Sequence, residues 1–307
     1  MPMFIENPIL DEGADPWLLW HQGLWYAMAT GDDCLVMRRA KTINGLKAAP
    51  EIEIWRDAVP SRGRHFWAPE AFLLGGLWYL YYTASSGADG SHRVHVLKSE
   101  GPDPVGPYYY KAQWRTDPEN QHFAIDGSVV QLEDERLYAF WAGAPGHVLF
   151  VSAMENPWTL QGERACLPAE GFGDHSVREG PALLRRKGRV FLTYSIGDAR
   201  SPDYKLGLLW AEEDADLLDP AAWHQHPQPV LARSDAHSVY GPGHNVFFRS
   251  PDGTEDWMIY HAKDHDRFTY AGRAAWVQRV FWGDDGMPSF GVPARELPAP
   301  SGELERE

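Results

Sequence analysis

The chain has 307 residues, with 28 Lys plus Arg against 43 Asp plus Glu and a formal charge of −15. That acidic balance argues against nucleic-acid and anionic-membrane partners, which need a basic face, and no apolar run reaches the length of a membrane span. Fourteen Trp, thirteen Tyr and thirteen Phe suit strands and a stacking site better than helices.

The opening segment, MPMFIENPIL, has neither a basic region nor a long apolar run. A cytoplasmic location is therefore expected, with a secreted mature form left open. The stretch from Ala14 to Gly31, ADPWLLWHQGLWYAMATG, then sets a pattern. An acid beside a proline leads into a short apolar strand, a glycine turn and a strand rich in aromatics. The pattern recurs in PEAFLLGGLWYLYYTA from Pro69, DGSVVQLEDERLYAFWAG from Asp126, EGPALLRRKGRVFLTYSIG from Glu179 and GHNVFFRSPDGTEDWMIYHA from Gly243. Equivalent starts fall near 15, 68, 126, 179 and 243. A period of this size made of short strands is the signature of a β-propeller. The expectation is an all-β, five-bladed β-propeller spanning residues 1–307 as one domain, with blades starting near 14, 66, 124, 178 and 241.

Residues 1–13 read as a lead-in that pairs with a neighbouring blade. In the first blade, CLVMRRAKTINGL supplies an outer strand and a turn. The second opens with HFWAPE, has Gly75-Gly76 as its hairpin turn and places a third strand at residues 91–99. GPDPVGPYYY reads as loop. HVLFVSA and LGLLWAEED are the third strands of blades three and four, and LLDPAAWHQ is one helical turn or an outer edge. In the fifth blade, Pro251-Asp252-Gly253 turns the hairpin and residues 272–282 alternate as a strand. The run His261, Lys263, Asp264, His265 either lines the pocket mouth or forms a solvated loop, the loop being preferred, and the tail from Ala294 reads as ragged. Cys34 and Cys166 lie in different blades and are expected as buried free thiols rather than a disulfide.

The inner strand of each blade lines the central channel, so the repeat starts gather at one end of it. These are Asp15, Ala68, Asp126, Glu179 and the Gly243–His244 pair. Three are carboxylates, each set against apolar and small residues. Turn capping or solubility would account for one acid per copy, yet only three copies carry one. Carboxylates gathered with aromatics suit glycoside cleavage. One activates water or attacks the sugar, another protonates the leaving oxygen, and a third tunes the acid. No GxSxG elbow, HExxH helix or cysteine cluster offers a competing chemistry.

Taken in order, ADPW, HFWAPE, AIDGSV, EGP, YGPGHN and WGDDGMPSFGVP resemble glycoside hydrolase family 43 over nearly the whole chain. The resemblance implies a five-bladed propeller with its active site at one end of the channel, an inverting mechanism and a small carbohydrate substrate. LVMRRAKTINGL, WAPEAFLLGGLWYLYYTA and GPGHNVFFRSPDGTEDWMIYHA look most like the α-L-arabinofuranosidase branch. An exo-acting enzyme releasing L-arabinose is the first expectation. A β-D-xylosidase is the alternative, and a catalytically inactive carbohydrate-binding propeller a third. By the same resemblance Asp15 is the general base, Glu179 the general acid, and Asp126 the acid that modulates and orients Glu179. Trp67, Phe66 and Arg273 match sugar-binding positions. His244 matches a histidine that holds calcium at the propeller centre largely through waters, beside the plainer reading of a buried, hydrogen-bonded histidine. No cofactor is expected for the chemistry itself. Arg178 and Trp276 depart from the family pattern and put the sugar preference in doubt.

Overall fold

A computed structural model describes residues 4–303. Five antiparallel four-stranded sheets follow one another along the chain, each in simple up-and-down order. Their innermost strands are Trp17–His21, Arg64–Leu74, Ala124–Gln131, Arg178–Arg186 and Tyr240–Arg249. Each packs beside the next and the fifth returns to the first, so the five blades close a ring around a channel. The local reasons are visible in the sequence. Gly75 and Gly76 take φ of 58° and 81°, the two left-handed residues that a tight hairpin requires. Apolar and aromatic side chains fill the seams between blades. Trp25, Trp78, Trp114, Trp141, Trp257 and Trp276 are all fully buried there.

Each inner strand begins with the same distortion. Asp15, Ala68, Asp126, Gly180 and His244 all lie in the left-handed region, with φ between 45° and 57°. In blades two to five the ladder register also slips at this point, between Trp67 and Glu70, Ile125 and Ser128, Glu179 and Ala182, and Gly243 and Val246. A bulge of this kind re-aims side chains at the rim of a sheet. The shared geometry corrects the repeat alignment: the blade-four counterpart of Asp15 and Asp126 is Gly180, and Glu179 precedes it by one residue. A left-handed non-glycine residue costs on the order of 1 kcal/mol. The fold holds four of them around one channel mouth.

The ring is closed by the termini. Phe4–Glu6 pairs with Glu296–Pro298, and Leu10 bridges Ala275 in blade five. Asn7 inserts its amide between strands, donating to Val277 O and Ala294 O, both at 2.9 Å, and accepting from Val277 N. The tail is ordered, against expectation: Glu303 accepts from the Trp25 indole at 2.6 Å and from Ile43 N at 2.7 Å. Residues 304–307 lie outside the described residues. Three smaller expectations also change. Tyr108–Gln113 is the outer strand of blade two, so YYY is not loop. LLDPAAWHQ supplies both a helical turn, Pro220–Ala222, and an edge strand, His224–Gln225. Both cysteines are free, but Cys166 is exposed and Cys34 only partly buried. Among the described residues no helix is long and apolar enough to cross a membrane.

Candidate active site

The channel mouth opens into a cavity of about 450 Å³ whose lining includes Asp15, Trp67, Asp126, Glu179, His244 and Arg273. Six of the seven residues expected at the site therefore meet in one place. Phe66 does not. Neighbours on a strand point to opposite faces, and the Phe66 ring is fully buried in the core, stacked on Tyr82.

Asp15 is held from both sides. Thr30 Oγ1 donates to its Oδ2 at 2.6 Å and itself accepts from Ala68 N, tying blade one to blade two. Its Oδ1 faces His244 Nδ1 at 3.2 Å, His261 Nδ1 at 3.2 Å and Arg273 Nη1 at 3.3 Å. Burial would raise the Asp15 carboxyl, but His244, His261 and Arg273 together hold it well below the usual carboxylate range. Burial drives His261 down to about 4, so its ring is neutral at physiological pH. Its Nδ1 contacts Asp15 twice, accepting from the backbone N–H at 3.3 Å and standing 3.2 Å from Oδ1.

Glu179 sits across the blade-four bulge. Its Oε1 accepts from Tyr204 OH at 2.8 Å, and His147 Nε2 lies 3.2 Å from Oε2. Burial opposes charge on His147, but the contact with Glu179 raises it above the ordinary histidine value. The Tyr204 ring stacks on His261 with centroids 5.4 Å apart and planes 6° from parallel. It fits because residue 243 is glycine: a Cβ there would stand 2.3 Å from the ring.

Asp126 accepts from Gly180 N at 2.9 Å, which fixes the turn that carries Glu179. Burial first, then Glu179 and Asp15, push its carboxyl up to about 6. Deeper in the channel, burial pushes Glu70 to about 8, and Ser128 donates to it at 2.8 Å. His244 lies at the centre of these acids. Burial disfavours its charge, but Asp15, Asp126, Glu179 and Glu70 raise it above the ordinary histidine value. Its backbone N–H donates to Ser195 Oγ at 2.7 Å.

These contacts bear on the expected calcium. The ion prefers six to eight oxygens, and among the described residues no group of three or more His, Cys, Asp or Glu is placed to hold a metal. His244 Nδ1 faces Asp15 at 3.2 Å, so only the other ring nitrogen could face an ion, and nitrogen is not the donor calcium prefers. The side chains do not fit a directly ligated calcium; an ion here would need water for most of its shell.

Trp67 presents its indole to the cavity and is backed by two histidines. His65 and His92 join edge to edge through a 3.0 Å Nδ1–Nε2 contact. Both stack on Trp67, at centroid distances of 4.9 and 4.4 Å. The two departures from the family pattern lie outside the cavity lining. Trp276 is buried in the seam of blade five, and Arg178 donates to Ala169 O.

Several site residues were not singled out from the sequence. Tyr204, His147 and Thr30 sit in loops and turns away from the repeat starts. His261 and Lys263 were read as loop, yet both are buried in the strand Asp256–Lys263. DWMIYHAK is a single strand buried at every position, and His261 lies near its end at the channel.

The family model for glycosyl hydrolases family 43 matches residues 5–288. The chain belongs to glycosyl hydrolase family 43. An extracellular exo-α-(1→5)-L-arabinofuranosidase of Streptomyces avermitilis is 37% identical over 94% of the chain. The chain spans 64% of that relative's length. A Streptomyces chartreusis protein of the same name is 38% identical over 86% of the chain and 84% of its own. The crystal structure of an α-L-arabinofuranosidase from Lactobacillus brevis superposes with a TM-score of 0.85 at 32% identity, covering 98% of both chains. This family 43 chain thus matches the arabinofuranosidase over all five blades.

Proposed function

We propose that this family 43 propeller is an inverting, exo-acting α-L-arabinofuranosidase that releases L-arabinose from arabino-oligosaccharides, arabinan or arabinoxylan side chains. The observation that carries the reading is the pair of carboxyls in one cavity, Asp15 kept ionised by His244, His261 and Arg273 and Glu179 held by Tyr204. The arabinofuranosidase relatives at 32–38% identity supply the sugar.

In this scheme Asp15 is the general base. His244, His261 and Arg273 face its Oδ1 and Thr30 occupies one side of Oδ2, which leaves an Oδ2 lone pair for a water. The water oxygen attacks the anomeric carbon while its proton passes to Asp15. The glycosidic C–O bond breaks, its electron pair stays on the leaving oxygen, and that oxygen takes the proton of Glu179. Asp126 acts as a positioning residue through the Gly180 N–H. Trp67 offers an apolar face to the ring and Arg273 a hydroxyl-binding guanidinium. Solvent returns the proton from Asp15 to Glu179 between turnovers. The Streptomyces relatives carry the word extracellular in their names, which favours an exported enzyme over the cytoplasmic one expected.

The test is hydrolysis of 4-nitrophenyl α-L-arabinofuranoside and 4-nitrophenyl β-D-xyloside by the wild type and by Glu179→Ala. Turnover of the arabinofuranoside alone, abolished in the variant, supports the reading. Preference for the xyloside overturns the sugar. Binding without turnover of any arabinoside overturns the enzyme.

A further inference from the structure

His147 occupies the hairpin turn between the strands Leu137–Gly143 and Val148–Asn156 of blade three. Its φ is +47°, in the left-handed region. Glycine or asparagine fills such a place with little strain. Another residue there costs on the order of 1 kcal/mol and marks a position held by its surroundings. Here blade four does the holding. Arg178 N donates to His147 O at 3.0 Å, so the turn is tied to the residue just before Glu179. Phe123 meets the imidazole edge-on, with centroids 5.0 Å apart and planes at 71°. Backbone and ring are thus both fixed, and they bring Nε2 to 3.2 Å from Glu179 Oε2. Nε2 is buried, and among the described residues it has no other partner.

The other oxygen of Glu179 is already taken. Tyr204 OH donates to Oε1 at 2.8 Å, so in the acid form the proton belongs on Oε2, the oxygen that His147 faces. A ring nitrogen serves that oxygen in either state. Its lone pair accepts from Oε2–H, and its N–H donates to the ionised carboxylate. One proton therefore suffices for the pair. Burial opposes a charge on the ring, but Glu179 and then Asp126 raise His147 above the ordinary histidine value. Both side chains line the cavity, His147 being 29% and Glu179 15% exposed.

We propose that His147 is the positioning residue of the acid: it shares a single proton with Glu179 and fixes Oε2 as the oxygen that delivers it. This rests on the arabinofuranosidase reading above. In the free enzyme the proton lies between Nε2 and Oε2. At bond cleavage the Oε2–H bond breaks, the proton goes to the leaving oxygen, and the electron pair stays on the carboxylate. Solvent in the emptied cavity restores the proton to the pair.

The test compares 4-nitrophenyl with methyl α-L-arabinofuranoside. Nitrophenolate departs with little help from an acid, whereas methoxide needs the proton. The pH profile of kcat/KM is measured for the wild type, His147→Asn and His147→Gly. Both variants suit the left-handed turn, so the fold is retained, and both side chains are too short to reach Glu179. The nitrophenyl-to-methyl ratio of kcat/KM rises about tenfold in each variant. The alkaline limb moves to lower pH, because the wild-type pair keeps its one proton to higher pH than a lone carboxyl does. A purely structural role would lower both substrates alike and leave the limb in place; that result overturns the proposal, as does full activity in both variants. Either leaves the arabinofuranosidase reading standing. Failure of the wild type to cleave either glycoside overturns both.

Discussion

Tyr204 lies parallel to His261, and through that stack the two carboxyls of the site are joined. Tyr204 OH donates to Glu179, and His261 Nδ1 faces Asp15. Glu179 and Asp15 come from blades four and one, so neither blade alone sets their separation. The stacked pair gives the separation a rigid spacer, with Tyr204 in the loop just before the third strand of blade four and His261 on the second strand of blade five.

Removing the Tyr204 hydroxyl tests that spacer. Tyr204→Phe keeps the stack but frees Glu179 Oε1. The expected outcome is a loss of kcat between about ten- and a hundredfold with KM little changed, since a small misplacement of a reacting group is that costly. Steady-state kinetics on an aryl arabinofuranoside read it directly.

His261→Leu removes a contact that favours the ionised form of Asp15. The Asp15 carboxyl then rises, so more of it is protonated at a given acidic pH. The acid limb of the kcat/KM profile, which reports the free enzyme's base, moves to higher pH than in the wild type. An acid limb that stays in place would remove His261 from the site's electrostatics.

Glu70 gives a stability prediction. Its folded carboxyl is raised to about 8 from a reference of 4.5. Its favourable contribution is therefore complete below about pH 4.5 and is lost as pH rises towards 8, because the folded state binds the proton more tightly. Glu70→Gln keeps an acceptor for Ser128 without that loss. The variant should gain on the wild type by roughly 2–4 kcal/mol between pH 5 and 8, as read by urea unfolding at each pH.

Gly180 is constrained twice. Its φ is +56°, and a Cβ would lie 3.1 Å from the His244 ring. Gly180→Ala should destabilise the fold by about 1–3 kcal/mol. It should also lower kcat, because the displaced turn carries Glu179. Thermal melting and kinetics on the same preparation separate the two effects.

The fold was legible because repetition is visible at the level of residue type: an acid or small residue, apolar strand, glycine turn, aromatic strand. Asp15, Asp126 and Glu179 were legible for the same reason, lying at the repeat starts. The one-residue offset of Glu179 was not, since it depends on Gly180 taking the left-handed position held elsewhere by Asp, Ala or His. Tyr204, His147 and His261 were hidden because the propeller brings them in from other strands and loops, where a lone polar residue resembles surface. Phe66 was misplaced because a motif says that two aromatics are adjacent, while strand alternation allows only one of them to face the cavity. The tail misled by composition: Pro, Ser and Glu suggested disorder, but Glu303 is consumed by two buried donors.

The central claim is that Asp15 directs a water at the anomeric carbon while Glu179 protonates the leaving oxygen. Proton NMR of the first product formed from an α-L-arabinofuranoside, recorded before mutarotation, tests it most directly. The account predicts β-L-arabinofuranose first, with the signal absent in Asp15→Ala. The α anomer appearing first would mean a covalent intermediate, and would contradict the roles given to both carboxyls.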